Sequence, residues 1–266
     1  AVLLAASGTT LAAQDTHPET GEPLAETQVF KYRLLDQFPT IDPQLIEETA
    51  GGHVARQIFE GLLTQNADGT LRPGVATEWS SEDNQTWTFT LRDNAKWSNG
   101  DPVTAGDFVY AWRRVVDPET ASEYAWFMEL MNIVNATEIV KGEKSPEELG
   151  VKAIDDKTLE VTLTTPTPYF IKTLSHATTY PVPQKVIEAE GDSWTQPGKL
   201  VGNGAFVLES HNLGVDITLK KNPDYWDAEN VLMETVKGVT VNDNNVALTR
   251  YQAGELDRVQ IPAGQY

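Results

Sequence analysis

The sequence contains no cysteine among its 266 residues. This absence excludes disulfide frameworks, thiolate zinc sites, cysteine nucleophiles and an N-terminal lipid-carrying cysteine. Positive charge is also scarce, since 20 Lys and Arg residues stand against 39 Asp and Glu residues and the net charge is −19. Such a chain repels phosphate backbones and anionic lipid headgroups, so we expect no nucleic-acid partner and no binding to a membrane surface.

Long apolar runs are absent too, because no stretch reaches the ~20 residues that span a bilayer. The first residues are apolar and small, and an acidic stretch follows Ala13. This order is typical of the second half of a secretory signal peptide, so we predict cleavage near Ala13 and an exported protein. A frayed apolar N-terminus of a cytosolic protein is the alternative. Residues 259–266 carry no closing charged tail, and we expect the chain to be a fragment.

Hydrophobic periodicity predicts a set of strands and helices. The predicted strands are 28–35, 86–92, 158–163 and an antiparallel pair over 205–209 and 216–220. The predicted helices are roughly 52–62, 104–116, 183–190 and 243–254. A capping box of Thr104 and Asp107 opens the second helix, and Asp68-Gly69 predicts a hairpin turn. Strands and helices interleave without a regular βαβ rhythm, which predicts a mixed α/β protein.

Few residues in the sequence indicate catalysis or metal binding. The four histidines lie far apart and share no metal-ligand spacing, so we expect no metal site and no cofactor. Ser193 lies in a Gly-Asp-Ser-Trp block similar to the nucleophile block of a secreted esterase family, but it follows a helical pattern rather than a strand. A secreted esterase or glycosidase that uses Ser193 or a carboxylate pair stays an alternative. We assign no catalytic residue. Most of the seven tryptophans are expected in the core, including Trp87 and Trp112.

A long block between residues 72 and 125 carries a more specific signal. Its parts are Pro73-Gly74-Val75-Ala76, Trp87-Thr88-Phe89, Leu91 to Ala105, and Asp107 to Arg114. Shorter motifs elsewhere are Ile41-Asp42-Pro43, Phe59-Glu60-Gly61-Leu62, Asn203-Gly204-Ala205 and Asn222-Pro223-Asp224-Tyr225-Trp226. In these motifs the chain resembles the oligopeptide-binding subgroup of the periplasmic solute-binding proteins that feed ABC importers.

The resemblance implies a periplasmic-binding-protein-like fold of class II with mixed α/β sheets. In that fold two lobes close over the ligand, and an extra domain is attached to the first lobe. The implied division is a partial signal peptide (1–13), a disordered N-terminal tail (14–27), the first lobe (28–59 and 184–266) and the extra domain (60–183). The second lobe is missing from this chain.

The resemblance also implies a function. It implies an exported, periplasmic, monomeric receptor without enzymatic activity, which captures short peptides and delivers them to the membrane-embedded permease of an ABC importer. The stretch after the Asp-Pro turn pairs with the peptide main chain in the family, which points here to Glu47, Glu48 and Thr49. Glu48 stands where close relatives carry Gly, so the local turn is expected to differ. Tyr124 and His176 match positions that face the ligand cleft in the family. A buried aromatic side chain and a hydrogen-bonded histidine with structural roles are the alternatives for these two residues.

Two further alternatives stay open at this point. Relatives with nearly the same motifs bind murein peptides, dipeptides, nickel chelates or haem, so the ligand class is less specific than the family. A holdase-like or cell-surface protein that uses exposed aromatic side chains is the third functional class.

Overall fold

The computed structural model describes residues 16–18 and 20–264, so the predicted signal peptide lies outside the described residues. The strands are β1 (Val29–Leu34), β2 (Leu63–Gln65), β3 (Leu71–Pro73), β4 (Ala76–Ser80), β5 (Thr86–Leu91), β6 (Val151–Asp155), β7 (Thr158–Thr162), β8 (Phe206–Asn212), β9 (Asp216–Lys221) and β10 (Thr235–Thr240). The helices are α1 (Thr49–Ile58), α2 (Ala105–Val116), α3 (Ala125–Leu130), α4 (Ala136–Val140), α5 (Phe170–Thr173), α6 (Gln184–Glu190) and α7 (Asn244–Gln252). In this part of the chain no helix has the length and apolarity to cross a membrane.

One four-stranded sheet combines two distant parts of the chain. Its strand order is β1-β10-β9-β8, with β1 parallel to β10 and the other neighbours antiparallel. Tyr32 and Leu34 of β1 and Ile217 and Leu219 of β9 are buried in the core. The predicted strand at 28–35 and the predicted pair after 205 are confirmed. β10, which joins them, was not predicted.

A second four-stranded sheet is antiparallel throughout, in the order β4-β5-β7-β6. α2 packs against β6 and β7. Trp112 of α2 and Phe89 of β5 are fully buried, and Trp87 is 8% exposed, so the predicted core positions of both tryptophans are confirmed. The alternating sequence of β5 places its apolar residues on the buried face and its threonines on the other.

The predicted chain reversals and helix starts also occur. Thr104 donates its N–H to Oδ2 of Asp107 at 2.8 Å in the capping box that opens α2. Gly69 adopts a positive φ of 82° in the turn between the paired strands β2 and β3. Asp243 accepts the first free N–H groups of α7, and Gly254 follows that helix at φ 76°. Local sequence signals of this kind act within a few residues, which is why they predict well.

The prediction of a helix over 52–62 is wrong at its end. α1 stops at Ile58, and Phe59 is already extended, with φ −122° and ψ 152°. The carbonyl of Ile58 accepts the N–H of Gly204 at 2.8 Å, where a longer helix would use the N–H of Leu62. A distant segment of the chain therefore ends this helix.

Candidate functional site

The turn that precedes α1 is anchored by the buried carboxylate of Asp42, which is 1% exposed. The two terminal nitrogens of Arg114 donate to its oxygens at 2.9 and 2.7 Å. Trp194 donates its indole N–H to the same carboxylate at 3.2 Å. Asp42 thus ties the turn to α2 and to the chain that follows α6, which fixes the backbone leading into residues 47–49.

Gln44 extends this network to the two loops that carry the other predicted site residues. Ser122 donates its hydroxyl to the carbonyl of Gln44 at 2.6 Å, which places the loop of Tyr124 beside the turn. The amide of Gln44 donates to the carbonyl of Tyr180 at 3.2 Å, which places the loop of His176 there as well. Three segments far apart in sequence are held together by these two contacts.

The five sequence-predicted ligand residues line a single open cavity of about 190 Å³: Glu47, Glu48, Thr49, Tyr124 and His176. The remaining lining residues are Pro43, Ile46, Gly52, His53, Arg56, Ala177 and Thr178. The structure therefore brings all five together. Their contact with a ligand stays a prediction.

The backbone at the rim of this cavity is extended and largely unpaired. Glu48 has φ −104° and ψ 153°, and its carbonyl accepts the N–H of Gly52 in the first turn of α1. Within the described part of the chain, the N–H and C=O of Glu47 and the N–H of Glu48 make no hydrogen bond. Unpaired extended backbone of this kind can accept another strand, as a sheet edge does.

Aromatic rings form another part of the cavity wall. The ring of His176 stacks on Tyr124 at 5.4 Å between centroids and lies 4.5 Å from Phe127. Nδ1 of His176 accepts the N–H of Thr178 at 3.3 Å, so the ring is held in place by its own loop. Burial, and then the charge of Arg56, lower the pKa of His176. The neutral ring with Nδ1 as acceptor carries its proton on Nε2.

Of the lining residues that the sequence analysis did not name as site residues, two are ionisable. His53 and Arg56 follow Thr49 on α1 at helical spacing and share its face. Burial, and then the neighbouring charge of Arg56, lower the pKa of His53. The helical spacing was visible in the sequence. The predicted helix began at residue 52, three residues after the observed start of α1. The sequence analysis therefore did not place Thr49 on the same helix face as His53 and Arg56.

The contacts of Ser193 are those of a helix end. Its hydroxyl donates to the carbonyl of Glu190 at 2.7 Å and lies 2.7 Å from Nζ of Lys199. Lys199 also forms an ion pair with the carboxylate of Glu190 at 2.7 Å. Among residues 16–18 and 20–264, no histidine makes a hydrogen bond to Ser193, and the Lys199 ammonium beside it is paired with Glu190, so the described contacts do not include the Ser-His pair of an esterase.

Comparison with known proteins decides the family. The family described as bacterial extracellular solute-binding proteins, family 5 Middle, matches residues 70–266. The chain is 42% identical over 255 residues to the periplasmic oligopeptide-binding protein OppA of Salmonella typhimurium, which covers 96% of this chain and 46% of that protein. This chain belongs to family 5 of the bacterial extracellular solute-binding proteins.

Solved structures of family 5 members share the fold. OppA of Haemophilus influenzae in complex with RPPGFSPFR gives a TM-score of 0.89 at 41% identity, over 91% of this chain and 48% of that chain. The Escherichia coli murein tripeptide binding protein MppA gives 0.87 at 43% identity, over 88% and 46%. The chain spans about half the length of these relatives, so its fold is part of their two-lobed architecture. The predicted family and fold class are confirmed.

Proposed function

We propose that this chain supplies the first lobe of an exported solute-binding receptor that captures short peptides in a two-lobed cleft. The receptor works in the periplasm as a monomer and delivers its ligand to the membrane-embedded permease of an ABC importer. Its role is binding without catalysis. The family membership and the peptide named for the Haemophilus influenzae relative support this proposal.

The single observation that carries the proposal is the unpaired backbone of Glu47 and Glu48 at the cavity rim. A receptor for peptides of varied sequence must bind what all peptides share, which is the main chain. The N–H and C=O of Glu47 and the N–H of Glu48 offer two donors and one acceptor to an added strand. Main-chain pairing supplies the affinity, and the side chains of the ligand lie in roomy, hydrated pockets.

The aromatic wall sets how the ligand is enclosed. Tyr124 and His176 present flat, half-buried faces to the cavity, which pack against many ligand side chains without requiring one shape. Closure of a second lobe by hinge motion would cover the open side. With one wall alone the ligand stays partly hydrated, so we expect this chain by itself to bind peptides orders of magnitude more weakly than a two-lobed protein does.

Replacing Glu48 by proline tests the backbone pairing. Proline removes an N–H that makes no hydrogen bond in the described part of the chain, and it moves φ of this residue from −104° towards about −65°, so a check of the fold accompanies the test. We expect the dissociation constant for trialanine to rise about tenfold relative to Glu48→Ala, as one lost main-chain hydrogen bond predicts. Isothermal titration calorimetry on the two-lobed protein measures both variants.

Glu48→Ala is the matched control, because it removes the same carboxylate and keeps the N–H. Urea unfolding midpoints that agree between the two variants show that the proline has not disturbed the fold. Equal trialanine affinity in the proline and alanine variants would contradict main-chain pairing at this residue.

A further inference from the structure

A second cavity of about 270 Å³ adjoins the candidate site. Arg56 lines both cavities, since it projects from α1 between them. Around the second cavity, Arg72 comes from β3, Glu60 follows α1, and Tyr180 and Tyr225 come from later loops. We call this space the arginine cavity.

The base of the arginine cavity is rigid and polar. Glu60 is 7% exposed, and its two carboxylate oxygens accept the hydroxyl of Tyr225 at 2.7 Å and the indole N–H of Trp226 at 2.6 Å. The side chain of Asn203 bonds to both the N–H and the C=O of Glu60. Burial raises the pKa of Glu60, while the hydrogen bonds from Tyr225 and Trp226 and then the charges of Arg92 and Arg72 lower it. Both oxygens of Glu60 are satisfied without either arginine.

The two arginines of the cavity make no direct contact with an acidic group, although the charge of Arg72 acts on Glu60 across the cavity. Within the described residues, the side chains of Arg56 and Arg72 make no hydrogen bond and no ion pair. Other arginines do: Arg33 donates three hydrogen bonds, and Arg114 and Arg250 pair with carboxylates. The chain has 39 acidic residues, yet neither guanidinium donates a hydrogen bond to one, so the N–H groups that face the cavity are available for a ligand.

The charge of the cavity favours an anion. Two guanidinium groups contribute +2 and Glu60 contributes at most −1, so the cavity is positive inside a protein of net charge −19. A guanidinium presents its N–H groups as a planar fork that matches the two oxygens of a carboxylate. The shared Arg56 places this positive cavity directly beside the proposed peptide cavity.

We propose that the arginine cavity binds a carboxylate, namely the acidic side chain of a peptide whose main chain occupies the neighbouring cavity. This inference rests on the proposed function for the source of the carboxylate. A free carboxylate anion offers the same chemistry, and the experiment separates the two sources. Arg72 is then a specificity-determining residue, and Arg56 contacts both parts of the ligand.

The test compares Ala-Glu-Ala with the near-isosteric Ala-Gln-Ala, each titrated into the full 266-residue chain and followed by NMR. We expect the wild-type chain to bind the glutamate peptide about tenfold more tightly, and Arg72→Gln to reduce that ratio to about one, as loss of a charge-assisted hydrogen bond predicts. Lys152→Gln is the matched control, because it makes the same charge change at an exposed position on β6 and should keep the tenfold ratio.

Glutarate, titrated at constant ionic strength, identifies the source of the carboxylate. A shift of the Arg72 side-chain N–H signal with Ala-Glu-Ala alone supports a peptide side chain, and an equal shift with glutarate supports a free anion. Binding of glutarate with no binding of either peptide, repeated on the two-lobed protein, would support the arginine cavity and refute the proposed peptide function. Equal affinity for both peptides, with no Arg72 shift from any ligand, would overturn the inference.

Discussion

Replacing Asp42 by alanine should destabilise the chain by about 3–5 kcal/mol, because it leaves a largely buried guanidinium without its counter-ion. The Asp42 side chain is 2% exposed and that of Arg114 is 15% exposed, at an Nη2–Oδ2 distance of 2.7 Å. The same substitution removes the acceptor of the Trp194 indole. Urea unfolding of the variant and the wild type gives the difference in free energy.

The exposed pair of Arg250 and Glu255 provides the control for Asp42. Its N–O distance is also 2.7 Å, but its side chains are 36% and 55% exposed. Solvent screens such a pair, so Glu255→Ala should cost at most about 1 kcal/mol. Similar losses in the two variants would show that burial does not decide the strength of the Asp42 pair.

Replacing Gly204 by alanine should also cause a large loss of stability. A Cβ built there lies 2.6 Å from the carbonyl carbon of Ile58 and 2.8 Å from the oxygens of Gln57 and Ile58. All three neighbours are backbone atoms, so no side chain can rotate away and α1 itself must shift. We expect a loss of about 1–3 kcal/mol in unfolding free energy, the usual cost of overpacking.

Gly52→Ala should have the opposite sign in the same unfolding assay. Gly52 lies inside α1, and a Cβ there meets no atom within 4 Å. Alanine in a helix is more stable than glycine by roughly 0.5–1 kcal/mol. If both alanines raise the stability, the close approach of Gly204 to the end of α1 is contradicted.

The parts of the fold that the sequence predicts are those decided by neighbouring residues. β5 alternates over six residues, and α2 combines a capping box with a helical apolar stripe, so both have nearly the predicted bounds. The end of α1 depends on Gly204, which no local pattern around Ile58 indicates. β10 was not predicted for two reasons. Its parallel partner β1 lies far away in sequence, and Gly238 interrupts the alternation of apolar residues within β10.

The same distinction holds for the candidate site, where local motifs indicate the residues and only the structure shows the contacts between them. Tyr124, His176 and the stretch from Glu47 to Thr49 were named from motifs that resemble a family. The contacts that assemble them were not predicted, because Gln44 reaches two distant segments: its own carbonyl accepts the Ser122 hydroxyl, and its side chain donates to the carbonyl of Tyr180. Likewise, Glu60, Asn203 and the Tyr225-Trp226 pair were recognised as separate motifs. Their convergence on one buried carboxylate is visible only in three dimensions.

The most direct test of the account is an NMR titration of the isotope-labelled 266-residue chain with millimolar trialanine. The account predicts downfield shifts of the Glu47 and Glu48 amide protons, the two donors left unpaired at the rim, together with shifts of the Tyr124 and His176 rings. Shifts confined to another surface would contradict it.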